Sequence, residues 1–227
     1  MLILAIDTAL NAVSVCVFDS ERDEVTASER ILLERGHAEH LVPLLDRLDG
    51  KAAGSLASIS RVAVSTGPGS FTGIRVGIAA ARAAGLARGV EVVGISTFAA
   101  FAAPLLGREG ADVGCVIDAR HGNVFFESYD ETGAVIHSAE VMPVRQVAKR
   151  LRDKRTILTG PGASLVAIEA WSMGRKADVE GEAASPAIEY VARLGAIADV
   201  EESPPSPFYL KAADVTPNAV HIRQAHL

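Results

Sequence analysis

At 227 residues, 49% of them hydrophobic, the chain is long enough to bury the core of one large domain or of two small ones. Its formal net charge of −6 repels a phosphate backbone at long range, and an aromatic content of 5% leaves little with which to stack single-stranded bases, which argues against a free-standing nucleic-acid binder. Cys16 and Cys115 each sit in an apolar run and make neither a disulfide framework nor a zinc site.

Met1 runs straight into Leu2-Ile3-Leu4-Ala5-Ile6, with no basic leader and no apolar stretch of signal length. No segment approaches the roughly 20 apolar residues that span a bilayer. The expected compartment is the cytoplasm, with no membrane partner. The first strand ends at Asp7 and is followed by Thr8-Ala9, a short turn (Leu10-Asn11-Ala12) and a β-rich return over Val13–Asp19, the pattern of a hairpin. His37 and His40 stand one helical turn apart, before a Leu41, Leu44, Leu45, Leu48 stripe. Their spacing lacks the Glu and the third ligand of a zinc hydrolase, so they read as polar residues at a helix start.

The strand Arg61–Thr66 leads into Gly67-Pro68-Gly69-Ser70. Here Gly69 can take a positive φ, Ser70 suits an N-cap, and the free amides of the next helix could receive an anion; the same tetrad also serves as a plain strand-to-helix turn. On a helical wheel Phe71, Ile74, Ile78 and Ala81 form a bulky stripe, and Gly73, Gly77, Ala80 and Ala84 form a second stripe of small residues. That second stripe either packs within the chain or meets another subunit.

Turn chemistry at Leu106-Gly107-Arg108-Glu109-Gly110 marks a boundary, giving an N-terminal lobe over 1–108, a C-terminal lobe over 109–200 and an extended tail over 201–227. The second lobe repeats the units of the first. Ile117-Asp118-Ala119-Arg120, a turn at His121-Gly122-Asn123 and a return over Val124–Asp130 match the first hairpin, and Asp7 to Asp19 and Asp118 to Asp130 are both 12 positions apart. Thr156–Thr159 then meets Gly160-Pro161-Gly162, as Arg61–Thr66 meets Gly67-Pro68-Gly69. Two units recurring in the same order indicate duplication. The basic run Arg145 to Arg155 surrounds a Val144, Val147, Ala148, Leu151 seam and reads most simply as one amphipathic helix with a solvated face, the other reading being an RNA-contacting patch. Ile188, Val191, Leu194 and Ile197 place a last helix within Pro186–Ala198, before the proline-rich Ser203–Pro207.

The fold expected is α/β, with two related lobes of the type found in the actin, Hsp70 and sugar kinase superfamily, where a nucleotide lies between the lobes. Asp7 and Asp118 could hold a hydrated Mg²⁺ through water, or serve as turn residues. Leu10-Asn11-Ala12 lacks the glycines with which that superfamily's hairpin approaches phosphate.

Leu4–Thr8, Gly36-His37 with Leu41-Val42-Pro43, Thr66–Gly77, Val93–Thr97, Ile117–Arg120, and Phe208–Lys211 with Asp214 resemble the successive signatures of the TsaB/YeaZ family, nearly end to end. The catalytic paralogue of that family, TsaD, carries a His-x-x-x-His metal motif after a strand similar to Val92–Ile95; here Ser96-Thr97-Phe98-Ala99-Ala100-Phe101-Ala102 follows, without imidazole. The resemblance implies a subunit that is not an enzyme by itself. It would pair with a TsaD-type paralogue, recruit a TsaE-type ATPase and meet tRNA through the complex, and the free chain would form a homodimer. No tightly bound cofactor is expected, ATP or ADP with Mg²⁺ being shared with the partners. The residues set around an anion or nucleotide are Asp7, Thr8, Gly67, Gly69, Ser70 and Asp118; those set at the subunit interface are Gly73, Gly77, Ala80 and Ala84. No catalytic residue or metal ligand is assigned. The alternatives are an independent ATPase or kinase of the same fold, and a peptidase, as an old glycoprotease label of the family suggests.

Overall fold

A computed structural model describes residues 1–52 and 55–210. Lys211 and Asp214 of the tail motif lie outside the described residues. Two five-stranded mixed sheets form the frame. The first contains β1 (Leu2–Asp7), β2 (Ala12–Asp19), β3 (Glu24–Leu32), β4 (Arg61–Gly67) and β5 (Glu91–Ser96), in the order β3-β2-β1-β4-β5. The second contains β6 (Ala111–Asp118), β7 (Asn123–Tyr129), β8 (Val135–Pro143), β9 (Arg155–Thr159) and β10 (Ala177–Val179), in the order β10-β9-β6-β7-β8. In both, two antiparallel neighbours made by hairpins lie on one side of the first strand, and two parallel strands reached by helical crossovers lie on the other. The duplication read from the repeated units is therefore one of topology, and β1–β2 and β6–β7 are the two hairpins expected.

Helices α1 (His37–Lys51) and α2 (Phe71–Arg88) cover one face of the first sheet, with Leu41, Leu44, Ile74 and Ile78 buried in a shared core. Helices α4 (Val144–Arg150) and α5 (Ala163–Ser172) cover the second sheet with Val147, Ala148, Val166 and Ala170. Between the sheets lies α3 (Thr97–Ala102), and α6 (Ile188–Ile197) packs on the face of the first sheet opposite α1 and α2. By its place in the chain α6 belongs to the second lobe, yet it packs on β1, β2, β4 and β5 of the first, where Gly195 lies so close to Ala63 that a Cβ would fall 2.4 Å from the Ala63 Cβ. Closing the first core thus takes residues from the second half of the chain.

The basic run is not one helix. α4 ends at Arg150, Leu151 turns extended, and Arg155 already opens β9. The reason is electrostatic: Asp112, 3% exposed at the start of β6, draws the Arg152 guanidinium into a two-pronged pair and Lys154 to 3.6 Å. Arg150 pairs with Glu140 and Arg155 with Asp178. Among the described residues no helix is long and apolar enough to cross a membrane.

Candidate functional site

Two surfaces carry the residues singled out by the sequence. The first is the cleft between the lobes, about 730 Å³, with Asn11, Arg35, Ser70, Phe71, Asp118 and Arg120 among its walls. That volume is in the range of small-molecule sites. Of the six residues expected around an anion, Gly69, Ser70 and Asp118 line it. Asp7 and Thr8 lie beneath it, 0% and 1% exposed.

Packing explains the difference. Ser70 caps α2 by accepting a hydrogen bond from Gly73 N, as its position predicts, but Ser70 N donates to Ala9 O at 2.7 Å. A Cβ on Gly69 would fall 2.1 Å from that same Ala9 oxygen. The hairpin turn therefore rests against the start of the helix, where a phosphate would have to reach it. Gly69 is needed for this close approach and not for a positive φ; the left-handed residue is Gly67, at φ 107. Thr8 donates from Oγ1 to Gly73 O at 2.7 Å and so joins the turn to α2. His37, 7% exposed at the start of α1, donates from Nε2 to Leu10 O at 2.7 Å and fixes the other side of the turn.

Asp7 accepts from Ala9 N through Oδ1, while Oδ2 is buried without a hydrogen-bond partner. Burial raises its pKa, against smaller opposing effects of the Ala9 amide, Ser65, Arg30 and His37. Asp118 accepts from Arg120 N in the matching turn but stands exposed on the cleft wall. The two aspartates therefore do not form the paired Mg²⁺ site that their repeat suggested, and a Mg²⁺-nucleotide held in this cleft by both does not fit the residues present. Among the described residues no group of three or more His, Cys, Asp or Glu side chains is arranged so that it could hold a metal ion.

The cleft also shows what sequence reasoning missed. Arg120 and His121 both adopt left-handed backbone, φ 64 and 54, at its rim. The chain from Ser203 to Leu210 forms a strap: Ser203 O accepts from Gly94 N, Phe208 N donates to Thr66 O, and Arg82 donates to Pro205 O. At its end Tyr209 stacks on Phe71 with centroids 5.0 Å apart, and Arg75 lies over Phe71 while donating from Nε to the Tyr209 hydroxyl. The proline run signalled an extended path; nothing local signalled where it would dock.

The second surface is α2. Gly73 and Gly77 of the small stripe face inward, where Cβ atoms would fall 2.1 Å from Thr8 O and 2.4 Å from Thr8 Oγ1. Their size is explained within this chain, which corrects their placement at a subunit interface. Ala80 and Ala84 are half-buried against the same core. The outward stripe is Thr72, Ala79, Ala83 and Leu86, with Leu86 87% exposed and half-buried Val76 at its edge. These positions share helical spacing, so the wheel held the signal.

Comparison with known proteins agrees with this architecture. The family model for TsaD, tRNA N6-adenosine threonylcarbamoyltransferase, matches residues 27–179. The tRNA threonylcarbamoyladenosine biosynthesis protein TsaB of Escherichia coli K12 is 32% identical over 197 residues, covering 83% of each chain. YeaZ from Pseudomonas aeruginosa superposes with a TM-score of 0.72 at 25% identity, over 92% of this chain and 99% of that one. In fold alone, the ethanolamine utilization protein EutJ from Carboxydothermus hydrogenoformans matches with a TM-score of 0.52 at 14% identity, over 84% of this chain and 89% of that one. The sheets and their connections have the two-lobed fold type of actin, Hsp70 and the sugar kinases, and the chain belongs to the TsaB/YeaZ family.

Proposed function

We propose that this chain is the non-catalytic subunit of the bacterial assembly that makes threonylcarbamoyladenosine in tRNA. Paired with a TsaD-type paralogue and a TsaE-type ATPase, it supports transfer of threonylcarbamoyl from its adenylate to the adenosine next to the anticodon. The observation that carries this reading is the kinship with E. coli TsaB across 83% of both chains. The chemistry of α3 supports it. Where the resemblance puts the paralogue's metal-binding histidines, Phe98, Ala100, Phe101 and Ala102 fill the core between the sheets, and none of them can ligate a metal.

The outward stripe of α2 is the partner face in this reading. Ala79, Ala83 and Leu86, with half-buried Val76 at their edge, offer a low, apolar helix surface against which another helix can lie closely. The same face serves a homodimer when the paralogue is absent. A nucleotide with Mg²⁺ is shared with the partners, the first-lobe residues being taken up by the turn on α2. tRNA is met through the assembly, consistent with the net charge of −6.

The test is reconstitution of the modification from purified paralogue, ATPase, adenylate-forming enzyme and tRNA, with and without this chain. Modified adenosine should appear only with it, and Ala83→Arg should abolish both pairing and product. Full product without the chain, or product from the chain alone, would overturn the proposal.

A further inference from the structure

Helix α5 turns only one side inward. Ala163, Val166, Ala167 and Ala170 are buried on the second sheet, while Leu165, Ile168 and Trp171 are 46%, 63% and 56% exposed on the other side. At i, i+3 and i+6 they form one stripe. Together they leave on the order of 300 Å² of apolar surface in water, the size at which the largest patch of a monomer is often functional. A symmetric dimer needs about 800 Å² from each copy, more than this stripe supplies, whereas a single docked helix matches it.

The surrounding charge defines that helix further. Residues 144–176 contain eight Lys or Arg against two acidic residues, Asp153 and Glu169, in a chain whose formal net charge is −6. Arg150, Arg152, Lys154 and Arg155 pair with carboxylates from outside the segment. Arg145 pairs within the segment with Glu169 at 3.5 Å, and Lys149, one turn further along α4 on the flank of α5, remains. Arg175 and Lys176 follow the end of α5, and Arg175 donates to the carbonyls of Leu151 and Lys149, which leave its charge uncompensated.

We propose that this face docks an amphipathic helix of a partner protein, one with bulky aliphatic residues for Leu165, Ile168 and Trp171 and with carboxylates facing Lys149 and Arg175. RNA would use the cations and Trp171 but find neither a hydrogen bond nor a stacking face on Leu165 and Ile168. The site is separate from the partner face of α2 and stands whether or not the proposed function does.

Trp171 is the only tryptophan of the chain, so its fluorescence reads this face directly. The probe is a synthetic helical peptide of about five turns with leucines at helical spacing flanked by glutamates; the control has lysines in place of the glutamates. The glutamate peptide should shift Trp171 emission to the blue and saturate in the micromolar range. The lysine peptide should bind about tenfold or more weakly, as should Ile168→Glu protein checked for folding by circular dichroism, or Ile168→Ser if the first variant does not fold. Equal binding of both peptides, or binding of neither, overturns the proposal. So does a blue shift on raising protein concentration alone with a doubling of mass in sedimentation, which gives the face to a second copy, or a shift with tRNA and none with peptide.

Discussion

The two lobes repeat the same strand order and connections, yet the residue that opens each hairpin meets opposite surroundings. Asp7 is fully buried and Asp118 stands on the cleft wall. Counting back from each aspartate shows why. In the first lobe the residue just before Asp7, Ile6, pairs with Val64, on which Gly77 of α2 rests. In the second lobe it is Val116, two before Asp118, that lies under Gly162 at the start of α5, while Ile117 lines the cleft. A shift of one residue exchanges the faces of a strand. The repeat that aligns the aspartates in sequence therefore separates them in space. The helices differ in the same sense: counted from Gly-Pro-Gly, Gly73 and Gly77 of the first lobe correspond to Val166 and Ala170 of the second, all of them buried. Only the first lobe brings its hairpin turn against the helix, and there even a methyl group has no room.

The largest expected effect comes from removing that difference. Gly73→Val puts the second lobe's residue into the first, where its Cβ would fall 2.1 Å from the Thr8 carbonyl oxygen. The backbone must move, so a loss of about 3 kcal/mol or more in urea-induced unfolding is expected. A loss below about 1 kcal/mol would mean that the turn does not rest on α2.

Next is the small stripe itself. Ala84→Arg forces a charge against the core and should cost about 2 kcal/mol. Ala83→Arg, on the exposed side, should change stability by less than about 0.5 kcal/mol while blocking association with the paralogue. Light scattering together with chemical denaturation distinguishes the two; an Ala84→Arg protein as stable as the wild type that no longer pairs would contradict the division of α2 into inner and outer faces.

Asp7 ties the stability of the fold to pH. Burial raises the pKa of Asp7 in the folded chain above 3.8, so the folded state holds that proton more tightly than the unfolded state does. The associated stability is complete at low pH and falls as pH rises from about 3.8 through the folded-state pKa, by about 1.4 kcal/mol for each unit of the rise. Asp7→Asn keeps an acceptor for Ala9 N and should remove this component of the pH profile. If the profile of Asp7→Asn follows that of the wild type, Asp7 is not the buried group responsible. A small effect is expected at the second hairpin: His121 is held at φ 54, and His121→Gly relieves that strain but frees the unfolded chain, so a net gain of about 0.5 kcal/mol is expected in thermal unfolding.

Most of the framework was legible because its causes are local. Ser70 caps α2, Gly107 and Gly110 turn the chain between the lobes at φ 79 and 73, and the Ile188, Val191, Leu194, Ile197 spacing is the helix α6. Where a distant partner intervened, the pattern misled. The seam of Val147 and Leu151 spans a longer helix than the one that forms, since Asp112, far away in sequence, draws Arg152 and Lys154 out of it. The outer stripe of α2 has the same helical spacing as the inner one, and small residues such as Gly73 and Gly77 do not by themselves reveal which neighbour they accommodate.

The sequence by itself determined the order and type of the elements, the duplication and the family, because periodicity, turn residues and the motif around Gly67-Pro68-Gly69-Ser70 act within a few residues of where they are read. Only the tertiary structure decided that α6 completes the first lobe, that Asp7 is sealed while Asp118 is open, that the turn at Ala9 takes up the start of α2, and that the strap ends on Phe71 and Arg75. Each of these depends on contacts between segments that are distant in the chain. A one-residue change in strand parity or a single buried carboxylate can reverse them without altering any local pattern.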